Sequence, residues 1–440
     1  MPGRENINGA TQRRAVGENG SGIDMSWSLP DTSIPAGALC CPGLPCCPGF
    51  MKKLSPRHRF WLIHHAARSA NAKRRSKEQA KFRRCSSTLR RAVIYNNGRR
   101  RKVWIAKIGR KLPGVLCFES NYEVTAGFFR DLSNRLCENA ISERQKFKTM
   151  RNGPRSWSDF STSRYISPAA GLVLAAEFDR SRKLAGVDRL FTINMDDWDP
   201  DVRATLVELG FLPLLGIDPP SDVSRPVGST APFVVPFRSE KLVDMAIASQ
   251  VLRDLIQLAA SAAHLQIEVD PLSSFRDFLT VIGEALTNTS DHAYPPTIHP
   301  ELPTVGRWWI SGSVDPAKRK LRFTVYDQGV TIPRALPLSR NYGAIQRFLR
   351  LIRIRHDPGD VQHDGSAIAA AVRTGASGTG LASRGHGLTL MRNLIMENRV
   401  GTLRIISRNG EYVAQTRKKD QIFTRSIPLR GTLVEWTVDL

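Results

Sequence analysis

Regular hydrophobic periodicity begins only after about residue 100. VWIAKI (103–108) and VLCFES (115–120) alternate or run apolar with β-branched residues, and predict strands. FFRDLSNRLCENA (128–140) repeats its apolar residues every three or four positions, and predicts a helix. RYISPAAGLVLAAEFDRSRKLAG (164–186) predicts a strand end, a helix started by Ser-Pro and a stop at glycine. LFTINM (190–195) is a further strand and DPDVRATLVELGF (199–211) a further helix. This alternation predicts an α/β domain over 101–217.

Five prolines in IDPPSDVSRPVGSTAPFVVP predict a linker, placed at 218–240. Periodicity resumes at LVDMAIASQVLRDLIQLAA (242–260) and SSFRDFLTVIGEALTNTSDHAY (273–294), two apolar helices. WWISGSVD (308–315) and LRFTVYDQG (321–329) predict strands, and GLTLMRNLIMENR (387–399) a helix. TLRIISRNGEYVAQ (402–415) predicts a hairpin turning at Asn-Gly, and GTLVEWTV (431–438) a last strand. Residues 241–440 therefore predict an α+β sandwich, with helices on one face of a mixed sheet.

Composition changes the picture mainly at the other end of the chain. The 440 residues are 41% hydrophobic and 24% charged, as in globular proteins. No apolar run approaches the roughly 20 residues that span a bilayer. The charged-then-apolar pattern of a signal peptide is missing, so a cytoplasmic protein is the expectation. The net charge is +24, and residues 52–111 hold 21 of the 64 Lys and Arg against one acid, Glu78. A basic arm over 51–100 is thus either a solvated segment or a binder of phosphate backbones. If 52–111 takes a partner, nucleic acid is the candidate, and its affinity would then fall steeply in salt. Residues 1–50 read as a loop-like leader, or as sequence ahead of a start at Met51. Its two Cys-Cys pairs have no partner at zinc spacing. The seven cysteines form no disulfide framework.

The candidate chemistry lies in GEALTNTSDHAY (283–294). Glu284, Asn288 and His292 recur at helical spacing and share a face, while Phe278, Ile282, Ala285 and Leu286 bury. Asp327 directly follows a buried strand, where an acid needs hydrogen-bond donors. TGASGTGLASRGHGLTL (374–390) is glycine-rich and enters a helix near Gly387, whose amides favour phosphate. Gly431-Thr432 enters the terminal strand.

The order E-x-x-x-N-x-x-x-H-A-Y, D-x-G, R-G-H-G-L and G-T resembles the Bergerat-fold (GHKL) ATPases. It is most similar to the anti-sigma-factor serine kinase branch. The resemblance implies ATP and Mg²⁺ as ligands, with Asn288 coordinating the metal and Glu284 as general base. It implies that Asp327 accepts a hydrogen bond from the adenine amino group, and that Gly329 lets the purine lie close. Gly385 and Gly387 would bring amides to the phosphates, with Arg384 or His386 as cationic helpers. Thr432 would bond near the adenine; the stretch between Pro333 and Arg384 would form a lid, and His292 would bond to that lid or serve the reaction. The chain departs from the family pattern at Thr331 and Thr389, where glycines are common. Residues 159–211 resemble a STAS domain whose phosphorylatable turn reads SPAAGL, leaving Ser167 as the nearest hydroxyl. No helix has a sensor-kinase phosphoacceptor context around His64 or His65. The expectation is an ATPase or serine kinase switching a protein partner, with a homodimer compatible with that reading. The alternative is a nucleotide-gated binding module without catalysis.

Overall fold

Two neighbouring tryptophans, Trp308 and Trp309, point to opposite faces of one strand, and both are fully buried. A strand buried on both faces needs a layer of structure on each. The computed structural model describes residues 55–85, 89–96, 99–106, 112–146, 158–186, 192–218, 225–262, 271–374, 387–397 and 401–439. The chain divides into two units, Met1–Ser76 and Lys77–Leu440. A helix, α1, covers Pro56–Cys85.

The elements of the second unit begin with a hairpin, β1 (Leu89–Asn96) and β2 (Arg99–Ala106). Next come β3 (Val115–Leu116), α2 (Tyr122–Lys146), β4 (Ser158–Asp159), β5 (Tyr165–Ile166), α3 (Pro168–Ala185) and β6 (Thr192–Ile193). They are followed by α4 (Pro200–Glu208), α5 (Phe211–Leu214), β7 (Phe233–Val234), β8 (Arg238–Glu240), α6 (Met245–Ala262) and α7 (Pro271–Asn288). The rest is β9 (Trp308–Asp315), β10 (Lys320–Asp327), α8 (Ile332–Ala335), α9 (Tyr342–Leu351), α10 (Asp364–Thr374), α11 (Gly387–Glu397), β11 (Thr402–Gln415) and β12 (Gln421–Asp439).

The chain is thus α+β, built on a six-stranded sheet in the order β11-β12-β10-β9-β7, with β8 also on β9. Leu321, Phe323 and Val325 of β10 face a core shared with Leu255 of α6, Ile282 of α7 and Met391 of α11. Tyr326 of β10, Trp309 of β9 and Leu433 of β12 face the other core, filled by α2 and α3. Burying each such side chain contributes about 1.5–3 kcal/mol.

Several expectations need correction. The sheet is antiparallel in every described pair, not mixed. Helices cover both faces, not one: α3 opens with a continuous apolar run, Pro168–Ala176, and is buried along most of its length. The segment read as a linker supplies β7 and β8 to the sheet. It is tied down where Arg225 pairs with Glu208, whose carboxylate also accepts from the Val234 N–H. Residues 101–217 and 241–440 therefore fall within one unit. TLRIISRNGEYVAQ is one continuous strand, bulged at Ser407–Gly410, not a hairpin. Arg408 takes a positive φ of 55° there and pairs with Asp364, while Asn409 donates to Arg425 O across the ladder. The side chains that favour a turn are thus spent on tertiary contacts. Residues 115–120 form only the short β3, and β1 with its hairpin was not foreseen.

The leader (1–50) lies outside the described residues. Among the described residues, no helix is long and apolar enough to cross a membrane.

Candidate functional site

The helix stripe and the strand-end acid meet on the same face of the sheet. A cavity bounded by α7, α11, the 331–345 segment and the ends of β10 and β12 is lined by Asn288, His292, Asp327, Gly387 and Thr432. Its walls are otherwise largely apolar, including Ala285, Val325, Ile345 and Met391. An apolar cleft with a few convergent polar groups is the usual form of a small-molecule site.

Asp327 ends β10 opposite Thr432 in the antiparallel register. It is buried, and its carboxylate accepts hydrogen bonds from the backbone N–H of Gly329, at 2.8 Å, and of Thr432. Burial raises its pKa to about 7 against the pull of those two donors. The group therefore changes charge near neutrality, and an added hydrogen-bond donor would favour its ionised form. Gly431 makes the pairing possible: its φ is +79°, and a Cβ there would stand 1.8 Å from the Asp327 carbonyl oxygen.

Thr432 belongs to a hydroxyl relay that the sequence reading missed. Its Oγ1 lies 2.9 Å from Ser407 Oγ, which accepts from the Ile332 N–H at 2.8 Å. The signal was present: Leu403, Ile405 and Ser407 share one face of β11, so a hydroxyl replaces the third apolar residue. Tyr294 was also missed. Its hydroxyl accepts from the Gln328 N–H at 3.0 Å and donates to Arg307 O at 2.7 Å. Burial raises its pKa, so it stays a neutral phenol. It staples the end of the motif helix to the backbone just after Asp327.

That helix is not uniform. After Asn288 it widens to a π turn over Thr289–Ala293. This shifts His292 off the strict four-residue stack, to an exposed position at the cavity edge. Single π turns inside helices occur often at functional sites.

Glu284 and Asn288 both close on Gly387, the first residue of α11. A Cβ at 387 would meet Glu284 Oε2 at 2.7 Å and Asn288 Nδ2 at 3.1 Å. Among the described residues, no hydrogen bond or ion pair holds the Glu284 carboxylate, and the Asn288 Nδ2 is buried without a partner. Among the described residues, neither polar end is used by the fold. Glu284 is not itself a lining residue; it stands behind Gly387 at the cavity rim.

Gly329 has a different neighbour from the one expected. A Cβ there would lie 2.2 Å from Ala293 O, so the glycine lets the β10 end close on the π turn. The Val330 N–H then donates to that same oxygen at 2.8 Å. Gly329 does not line the cavity.

Thr331 does line it, with φ +80° and ψ 151°, a region that is almost glycine's alone. Holding threonine there costs on the order of 1–3 kcal/mol. Among the described residues its buried hydroxyl has no partner. Thr389, the other departure, donates to Val372 O at 2.6 Å and fastens α11 to α10. The insertion after β10 has its own small core of Leu336, Ile345, Leu349, Ala367 and Ala370.

Arg384, Gly385 and His386 lie in 375–386, outside the described residues. Ser167 caps α3, accepting from the Ala170 N–H at 3.3 Å. Among the described residues, no cluster of three His, Cys, Asp or Glu could hold a metal by protein ligands alone. A single amide such as Asn288 suits a hard cation that keeps waters and phosphate oxygens as its other ligands. No protein-family model matches the chain, and no curated protein sequence matches it.

Proposed function

We propose that the cavity binds Mg-ATP and that the protein is an ATP-dependent regulator of the GHKL class, acting on a protein partner. The observation that carries this reading is the convergence of Asn288, Asp327, Gly387 and Thr432 on one cavity. These residues come from four separate stretches of sequence and match the resemblance in order.

Each residue has a role that follows from its chemistry. The Asp327 carboxylate accepts from an exocyclic amine, and its burial makes a mismatch costly. Guanine presents an oxygen at that place, so adenine is preferred. The Thr432–Ser407 hydroxyl pair adds a donor or acceptor beside the base. The α11 N-terminus opens at Gly387, and the amides of a helix start suit phosphate. The Asn288 amide oxygen suits Mg²⁺, which would supply charge neutralisation at the phosphates. Glu284 Oε2 is the group to accept a proton, from a water or from a partner's serine hydroxyl.

Glu284→Ala separates catalysis from binding. The reading expects turnover of [γ-³²P]ATP to fall by at least about a hundredfold, as loss of a general base implies, with ATP affinity within a few-fold of wild type. Wild-type protein that binds ATP but shows no turnover or transfer would instead favour a nucleotide-gated binder.

A further inference from the structure

We propose that α1 is a docking surface for single-stranded nucleic acid, with Trp61 and Phe60 as base-stacking platforms beside a cationic track. The inference does not depend on the nucleotide-site reading, since it concerns a different element and a different ligand.

Three observations carry it. The first is exposure: every side chain described between Ser55 and Lys73 is exposed. These include Phe60 at 66%, Trp61 at 58% and Leu62 at 42%. Neither aromatic belongs to any of the described hydrophobic cores. The second is ring geometry. Trp61 stacks on His65 with centroids 5.0 Å apart, and His58 lies 6.2 Å on its other side. Phe60 meets His64 edge-on at 4.1 Å. Two short rows of rings therefore stand on the first turns of the helix, and Phe60 and Trp61 each keep more than half of their surface exposed beside their histidine neighbours. The third is charge. The 30 residues of α1 contain ten Lys and Arg and a single acid, Glu78. A helix of this length runs about 45 Å, so the cations extend well beyond the rings.

Flat, exposed aromatics next to a line of cations match a polyanion whose bases are unpaired. Every base has a face that stacks, while the phosphates meet Lys and Arg. A duplex hides those faces. An anionic membrane would need an apolar face that inserts below the headgroups. Along the sequence of this helix charged and apolar residues are not segregated to separate sides, so it has no such face.

The test uses the full chain and fluorescein-labelled 20-mers: single-stranded DNA, single-stranded RNA and a DNA duplex, with phosphatidylserine vesicles as a fourth arm. Anisotropy is read across a salt series. The proposal expects single strands to bind at least tenfold tighter than the duplex. Trp61→Ala should weaken single-strand binding on the order of tenfold with little change in salt slope, and Trp61→Phe should restore most of it. The triple variant Arg57→Ala, Arg68→Ala, Lys73→Ala should lower the slope by about 2, at roughly 0.7 per lost phosphate contact. Comparable RNA and DNA affinities fit the proposal; a preference for one names the partner. No binding, equal affinity for duplex and single strand, indifference to Trp61→Ala, or binding to vesicles alone would each overturn it.

Discussion

Asp327 is the residue on which most of the site's electrostatics turn. Its pKa of about 7 in the folded chain stands against 3.8 for the free side chain. The folded state therefore holds this proton more tightly than the unfolded state. Its contribution to stability is complete below about pH 4, declines as pH rises, and is lost above about pH 7. The full difference amounts to about 4 kcal/mol at most, at 1.36 kcal/mol per unit. Asp327→Asn removes the titration. We expect the urea midpoint of wild type to fall between pH 4.5 and pH 8 by more than that of the variant; parallel profiles would contradict the assignment. A nucleobase amine that needs the ionised carboxylate would bind more tightly at pH 8 than at pH 6.

At the scale of elements, the decisive contact is α7 against the start of α11. Gly387→Ala places a methyl where Glu284 Oε2 and the Asn288 amide now stand. The oxygen is the far end of a flexible side chain, so the fold can yield. The expectation is a change in stability within about 1 kcal/mol, since alanine itself favours helix, but a loss of ATP turnover of tenfold or more. Unchanged turnover would mean that Glu284 is not held by this contact. The period-2 strands β9 and β10 and the capped α3 were legible in the sequence, because burial and Ser-Pro capping are local signals. The motif helix was legible as far as Asn288. Its π turn was not, because widening depends on Ala293 and Tyr294 being pulled onto Gln328–Val330 by long-range hydrogen bonds. The Asn-Gly of β11 misled for the same reason: contacts from Asp364 and Arg425 override the local turn preference.

At the scale of the whole molecule, the sheet has helices on both faces. Trp308 and Trp309 side by side, and the apolar run Pro168–Ala176 that opens α3, were signals of this that a one-face reading passed over. Crossing elements also join through a buried polar network. Arg180 pairs with Glu177, which accepts from Gln328 Nε2 at 2.9 Å, and Trp309 Nε1 donates to Asp179 at 3.1 Å. Removing one partner of such a buried pair costs about 3–5 kcal/mol. The segment 241–440 alone would leave Trp309, Tyr326 and Leu433 without α2 and α3. We expect that fragment to aggregate or to lack near-ultraviolet circular dichroism, whereas the chain from Lys77 should show both solubility and a native spectrum. A fragment with sharp native signals would show that the outer layer is dispensable.

The most direct measurement is a calorimetric titration of the full chain with ATP, with and without Mg²⁺, beside Asp327→Ala. The account predicts saturable binding that strengthens with Mg²⁺, favours ATP over GTP and weakens at least tenfold in the variant. No heat of binding up to millimolar ATP, or equal affinity for GTP, would contradict it.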